Sequence, residues 1–262
     1  MTELPGIDTT KAHSARVWNY WQGGKDNYPV DREVGDYVLQ AYPEMVSAAR
    51  ADRQFLIRAV THLAREEGVR QFLDIGTGLP THNNTHEVAQ AVTPDARVVY
   101  VDNDPMVLVH ARAILTGQKL GEVHYVDADL HDPESVLASA REHLDFTRPI
   151  GLTILGTMGH TPDNEQAYAT VRSYVDALPS GSFLAMCDGT ATSEPMIEAA
   201  RRWNETAAIP YHLRTPKEIE GFFEGLDLLE PGVVSANFWR PAASEVGTPS
   251  EVDQYCGVAR KP

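Results

Sequence analysis

From residue 71 onward, apolar runs of strand length alternate with stretches whose apolar positions recur at helical spacing. Residues 71–75, 97–101, 123–126, 150–155 and 182–187 read as strands, and residues 85–92, 105–115, 133–144, 164–178 and 193–206 read as helices between and after them. Such alternation builds crossover units on a parallel sheet. Ahead of the first strand, residues 51–67 place Phe55, Ile57, Ala59, Val60 and Leu63 at mostly helical spacing, and Gly68 follows as a stop. Thr215-Pro216-Lys217-Glu218 has the form of a helix start with Thr215 as its cap, and that helix runs to about residue 223. Two last strands, 226–234 and 255–260, flank a polar loop that holds Phe238 and Trp239 and are expected to pair as an antiparallel hairpin at the sheet edge. The first 50 residues contain no strand pattern and carry Trp18, Tyr20, Trp21, Tyr28, Tyr37 and Tyr42, which suits short helices around a turn.

Composition narrows the classes of function. The chain has 262 residues, 42% hydrophobic, enough to close one large core without crosslinks. Its 22 Lys and Arg against 37 Asp and Glu give a net charge of −15, a field that repels phosphate backbones and anionic lipid, so neither nucleic acid nor a membrane is expected as a partner. Only Cys187 and Cys256 are present, and the N-terminus shows no basic stretch leading into an apolar run, which fits a reducing cytoplasm. No window reaches the length of uncharged apolar residues that spans a bilayer.

The most informative segment is Phe72-Leu73-Asp74-Ile75-Gly76-Thr77-Gly78, an apolar strand that ends in a glycine-x-glycine turn. Glycines there let the main chain turn sharply and approach a ligand closely. Thr81 stands where the third glycine of a dinucleotide fingerprint belongs, which disfavours NAD or FAD. The second strand ends in Asp102-Asn103-Asp104-Pro105, placing Asp102 24 residues after Gly78, near the spacing at which an acid accepts from both ribose hydroxyls. Asp102 or Asp104 could instead cap the helix that opens at Pro105, and Asp104 is the better cap. The third strand ends in Asp127-Ala128-Asp129-Leu130, where Asp129, with Asp127 as its rival, can accept from an adenine amino group.

On these residues the chain resembles the class I S-adenosylmethionine-dependent methyltransferases, whose first motif matches Leu73-Asp74-Ile75-Gly76-Thr77-Gly78. The resemblance implies an α/β, Rossmann-like fold: a seven-stranded, mostly parallel sheet with an antiparallel C-terminal hairpin and helices on both faces. It also implies S-adenosyl-L-methionine as cofactor, with the glycine turn of Gly76 and Gly78 at its methionine part, Asp102 at its ribose and Asp129 at its adenine, and with Asp74, Thr77, Asn103 and Leu130 as further cofactor-binding residues. Ala15-Arg16-Val17-Trp18-Asn19-Tyr20, Gly23-Gly24-Lys25-Asp26-Asn27-Tyr28, Asp31-Arg32 and Thr77-Gly78-Leu79-Pro80-Thr81 further resemble a bacterial group of S-adenosyl methyltransferases once called domain of unknown function 574. Residues 51–262 then form the methyltransferase domain, and residues 1–50 form a helical cap or lid. The acceptor is expected to be a small molecule. A non-catalytic protein that kept the cofactor site is the competing reading.

Other residues complete the expectation. Gly23-Gly24-Lys25 lacks the spacing of a phosphate loop and reads better as a lid whose amides, with Tyr20 beside them, cover the cofactor. Trp18, Tyr20 and Trp21 either face a sulfonium, an attraction of ~0.5–2 kcal/mol, or pack between helices. Lys25 or Arg53 either pairs with the cofactor carboxylate or sits in solvent. His160, in the loop after the fourth strand, is the candidate general base, and the alternative is a loop histidine bonded to backbone. Asp188 and Thr190 are expected along the acceptor pocket, and Cys187 is expected to be buried. His82, His86 and Glu87 share helical spacing, but the segment reads better as a capped helix start, with Asn84 or Thr85 as cap, than as a metal site, so no metal is expected.

Overall fold

The computed structural model describes residues 7–115, 122–241 and 250–262. Two short helices, α1 (Ser14–Trp21) and α2 (Pro29–Leu39), lead into the long α3 (Met45–Arg65). Then follow β1 (Gln71–Ile75), α4 (Thr85–Val92), β2 (Arg97–Asp102), α5 (Pro105–Leu115), β3 (Val123–Asp127), α6 (Pro133–Ala140), β4 (Gly151–Leu155), α7 (Asn164–Ala177), β5 (Phe183–Gly189), α8 (Glu194–Thr206) and α9 (Pro216–Gly221). The chain closes with β6 (Asp227–Leu228), β7 (Val234–Ser235) and β8 (Gln254–Arg260).

Among the described residues the strands form one sheet of eight in the order β3-β2-β1-β4-β5-β8-β6, with β7 also on β8. The first five are parallel, and β8 enters antiparallel between β5 and β6. The expected hairpin is therefore present in altered form. In place of one strand over 226–234, β6 pairs with Ala259 and Arg260 while β7 pairs with Tyr255 and Cys256. Pro231, which has no N–H to give, and Gly232 at φ +87° break the run between them. Trp239, assigned by pattern to the polar loop, is fully buried, edge-on to Phe55.

Alternation along the strands sorts the core into two layers. Phe72, Val98, Tyr100, Ala185 and Cys187 face α3, α4 and α8, whereas Leu73, Ile75, Val99, Val101, Leu184 and Met186 face α6, α7 and α9. Helices thus cover both faces, as a buried parallel sheet requires. Asp74 falls on the same side as Phe72, which drives its carboxylate beneath α3 and α4. α3 starts earlier than the apolar pattern suggests, because Ala48, Ala49 and Ala51 extend its buried stripe toward α1 and α2.

α1 and α2 are held together by one buried acid. Asp31 accepts from the backbone N–H of Tyr28 (2.8 Å) at the start of α2 and from that of His13 (3.0 Å) at the start of α1, and it pairs with Arg16 Nε at 2.9 Å. No helix among the described residues is long and apolar enough to cross a membrane.

Candidate functional site

Strand order reverses between β1 and β4, the position at which open α/β sheets hold ligands at their carboxyl ends. Both Gly76 (φ +70°) and Gly78 (φ +65°) adopt the left-handed conformation there. A Cβ on Gly76 would come within 2.4 Å of Thr157 Oγ1, just beyond β4, while a Cβ on Gly78 would meet nothing within 4 Å. The space beside Gly78 belongs to a cavity of about 290 Å³ that runs from this turn to α8.

At the turn end, Asp102 accepts from the N–H of Gly78 (2.8 Å, Oδ2) and from that of Asp104 (2.9 Å, Oδ1). Each oxygen keeps a lone pair for a further donor. Burial raises the Asp102 pKa above the usual carboxylate value, and the two backbone donors oppose that. Asp104 caps α5 through the N–H of Met106 (2.8 Å). Its burial is outweighed by His13, whose Nδ1 lies 2.8 Å from Oδ2, and its pKa is lowered. The N-terminal segment is thereby tied to the β2 end of the site. Asn103, Asp129 and Leu130 line the same end, and Asp129 Oδ1 accepts from the N–H of His131 at 2.9 Å. Asp127 does not line the cavity.

Beneath the turn, Asp74 Oδ2 accepts from Thr85 Oγ1 at 2.5 Å. Burial lifts Asp74 to about 6, against the hydroxyls of Thr85 and Thr153. Two adjacent residues of α3 also reach the cavity: Arg53, whose Nε has no hydrogen-bond partner, and Asp52, whose Oδ1 has none. Burial raises Asp52 to about 7 despite the nearby Arg53.

The far end has apolar walls, with Trp21 and Trp203 6.2 Å apart and Leu56 and Met196 beside them. Here His160 sits in a single 3₁₀ turn, Met158–His160. Its Nδ1 lies 3.0 Å from the Pro210 carbonyl oxygen; a carbonyl only accepts, so Nδ1 carries the proton and Nε2 the lone pair. Burial lowers the His160 pKa and keeps the ring neutral. Arg214, almost wholly buried, fixes this turn by donating to the carbonyls of Met158 (2.8 Å) and Thr161 (2.5 Å). The Asp188 carboxylate is consumed by the Gly159 N–H (3.0 Å), its own neighbour Gly189 N–H (3.1 Å) and the Tyr211 hydroxyl.

The S-adenosyl methyltransferase family model matches residues 1–262. The chain belongs to this family. A crystal structure of a DUF574 family protein from Streptomyces avermitilis superposes with a TM-score of 0.92 at 46% identity, covering 97% of this chain and 99% of that one. A putative methyltransferase from Thermobifida fusca gives 0.89 at 41% identity, covering 98% and 97%. The N-methyltransferase NodS from Bradyrhizobium japonicum, in complex with S-adenosyl-L-homocysteine, shares only the fold, at 14% identity and a TM-score of 0.52 over 82% of this chain and 88% of that one. No curated protein matches the chain.

The enzyme is an S-adenosylmethionine-dependent methyltransferase by family and fold, and its cavity gathers a defined subset of the residues singled out by sequence. Asp74, Gly76, Thr77, Gly78, Asp102, Asn103, Asp129, Leu130 and His160 all line it, with Trp18, Trp21 and Arg53. Tyr20, Gly23 and Gly24 do not: the Tyr20 hydroxyl donates to Asp36 at 2.6 Å, and Gly24 packs where a Cβ would strike the Asn19 side chain. Lys25 is exposed, and neither it nor Asp188 or Thr190 is among the lining residues. His86 turns its Nδ1 to the Tyr100 hydroxyl (2.8 Å), and Glu87 accepts from the N–H of Asn84 (2.8 Å), which caps α4. Among the described residues no cluster of three metal-ligating side chains occurs. Asp52, Trp203, Tyr211 and Arg214 escaped the sequence reading. Asp52 carried a signal nonetheless, an acid on the otherwise apolar stripe of an amphipathic helix.

Proposed function

We propose that this methyltransferase carries its cofactor at the β1–β4 reversal and a small-molecule acceptor at the α8 end of the same cavity. The observation that carries the reading is the continuity of one cavity from the glycine turn and Asp102 to an apolar, aromatic end beside His160. The residues present fit S-adenosyl-L-methionine. Gly78 leaves open the volume a side chain would fill, Asp102 offers two oxygens to a ribose diol, and Arg53 presents an unpartnered Nε for a carboxylate. When bound, the cofactor supplies an electrophilic methyl group on a sulfonium.

The chain's own part is to bind, orient and exclude water. Orientation of two bound reactants can lower a barrier by ~7–11 kcal/mol. Trp18 and Trp21, edge-on at 5.8 Å, give the N-terminal helix an aromatic face toward the cavity and act as a cover over the bound reactants. His160, with its tautomer set by Pro210, keeps the Nε2 lone pair free for a hydrogen bond from the acceptor. The dimensions and apolar walls suit a small molecule rather than a macromolecular acceptor. Calorimetric titration with S-adenosylmethionine, S-adenosylhomocysteine and NAD tests the cofactor assignment. Micromolar binding, about −8 kcal/mol, is expected for the two sulfur nucleosides and none for NAD. Asp102→Ala is expected to lose at least tenfold in both, and equal affinity of parent and variant would contradict the placement.

A further inference from the structure

Among the described residues, Asp52 is the acid lining the cavity that the cofactor assignment leaves unused. It is 6% exposed, its Oδ1 has no hydrogen-bond partner, and it lines the cavity. A buried carboxylate oxygen without a donor is costly unless a ligand supplies one. The other two acids nearby are already engaged, Asp74 by Thr85 and Asp188 by Gly159, Gly189 and Tyr211.

Asp52 extends from the cofactor's end toward β5. Adjacent helix positions point about 100° apart. Arg53 acts on Asp74 and Tyr100, on β1 and β2, and on Asp52 itself, while Asp52 also has the Cys187 thiol of β5 beside it, with Asp188 and Asp74 next. Asp52 thus reaches the β5 side, which Arg53 is not seen to act on, while remaining within range of Arg53 and Asp74. Around Asp52 the charges are Arg53 against Asp74 and Asp188, a balance that favours a cation.

We propose that Asp52 receives the amino group of the methyl acceptor, so that the substrate is a small amine with an apolar body and the reaction is N-methylation. The inference rests on the methyltransferase reading above. An amine entering as ammonium donates to Oδ1, and its apolar part lies against Leu56, Met196, Trp21 and Trp203. The nitrogen becomes a nucleophile only after it gives up a proton, which Asp52 takes. The nitrogen lone pair then forms the N–C bond to the methyl carbon while the C–S bond breaks and leaves its electron pair on sulfur, turning the sulfonium into a neutral thioether. The positive charge passes to the methylated nitrogen. A carboxyl group that burial holds near neutrality in its proton affinity is suited to that exchange, since in a dry site the neutral pair of carboxylic acid and free amine competes with the ion pair.

The test uses the full chain saturated with S-adenosylhomocysteine and three matched probe pairs: butylamine and butanol, 2-phenylethylamine and 2-phenylethanol, tryptamine and tryptophol. At least one amine is expected to bind tenfold or more tighter than its alcohol, and Asp52→Asn is expected to erase that preference while leaving the S-adenosylmethionine Kd within twofold. Asp52→Ala repeats the comparison should the amide misfold, with a thermal melt as the check on both. Absence of amine preference in all three pairs overturns the proposal, and so does a preference that survives both variants. A tenfold loss of S-adenosylmethionine affinity in Asp52→Asn also overturns it, by moving Asp52 to the cofactor's own amino group. Failure of the parent to bind S-adenosylmethionine and S-adenosylhomocysteine at all overturns the methyltransferase reading and this inference with it.

Discussion

Gly76 and Gly78 share a backbone conformation but answer different demands. At Gly76 a methyl group meets Thr157 at 2.4 Å, so Gly76→Ala must displace the loop after β4 as well as strain the turn. At Gly78 the methyl group has room, and only the left-handed backbone resists it, at a cost of about 1 kcal/mol. Gly78→Ala is therefore expected to lower the melting temperature by a few degrees, and Gly76→Ala by more. Cofactor affinity separates them further: Gly78→Ala places its methyl group in the cavity and should weaken S-adenosylmethionine binding in calorimetry out of proportion to its small effect on stability. Asp52 gives a prediction with a pH sign. Its folded-state pKa, about 7, lies above the ordinary carboxylate value of 3.8, so the folded chain binds more protons than the unfolded one between those limits. Asp52 consequently costs stability increasingly as pH rises from about 4 to about 7, by a few kcal/mol in all. Asp52→Asn should raise the melting temperature at pH 8 and lose that advantage near pH 4. A variant less stable than the parent at pH 8 would contradict the burial argument.

Elements place these residues, and the way they do so decides what a sequence can reveal. The five parallel strands and the caps at Asn84 and Thr215 were legible because unbroken apolar runs of strand length and helix-start chemistry are local. The glycine turn and Asp102 were legible for the same reason, each closing a strand. The broken edge strand was not, because two residues on either side of Pro231 pair with β8 only through tertiary contact. Nor was Arg214, an arginine in an irregular segment whose partners, Met158 and Thr161, lie more than fifty positions earlier. It holds the His160 turn from behind and is not among the residues lining the cavity. Arg214→Ala leaves those carbonyls unpaired in the interior, and about 1–3 kcal/mol of stability per lost bond is expected to go. It should depress kcat while leaving S-adenosylmethionine affinity within about threefold, a split that steady-state kinetics and calorimetry read separately. The pairing of α1 with α2 depends likewise on one buried ion pair: Arg16 and Asp31 are almost wholly shielded, so Asp31→Asn leaves the guanidinium charge without its counter-ion, bonded only to the Asp8 and Lys11 carbonyls, at a cost of about 3 kcal/mol. Limited proteolysis should then cut within the first 40 residues faster than in the parent.

At the scale of the molecule, the sheet fixes one end of the cavity and the N-terminal helices with α8 fix the other. The two ends differ in their chemistry. Hydrogen-bonding groups at the carboxyl ends of β1 and β2 are built into the strand framework, whereas the apolar end is assembled from α1, α3, α8 and the segment after it. His160 stands in the cavity wall as a neutral imidazole. Burial lowers its pKa below 6.5, so the basic Nε2 persists at neutral pH. The same shift makes the folded state bind the histidine proton less readily than the unfolded chain, so this contribution to stability falls as pH drops through that range. The account turns on methyl transfer to a small molecule across a single cavity. Its most direct test is incubation of the enzyme with methyl-labelled S-adenosylmethionine and a fractionated extract of its host, with the Asp102→Ala variant in parallel. Label should appear in the low-molecular-weight fraction with the parent and fall to background with the variant. Label confined to protein or nucleic acid, or equal incorporation by the variant, would contradict the account.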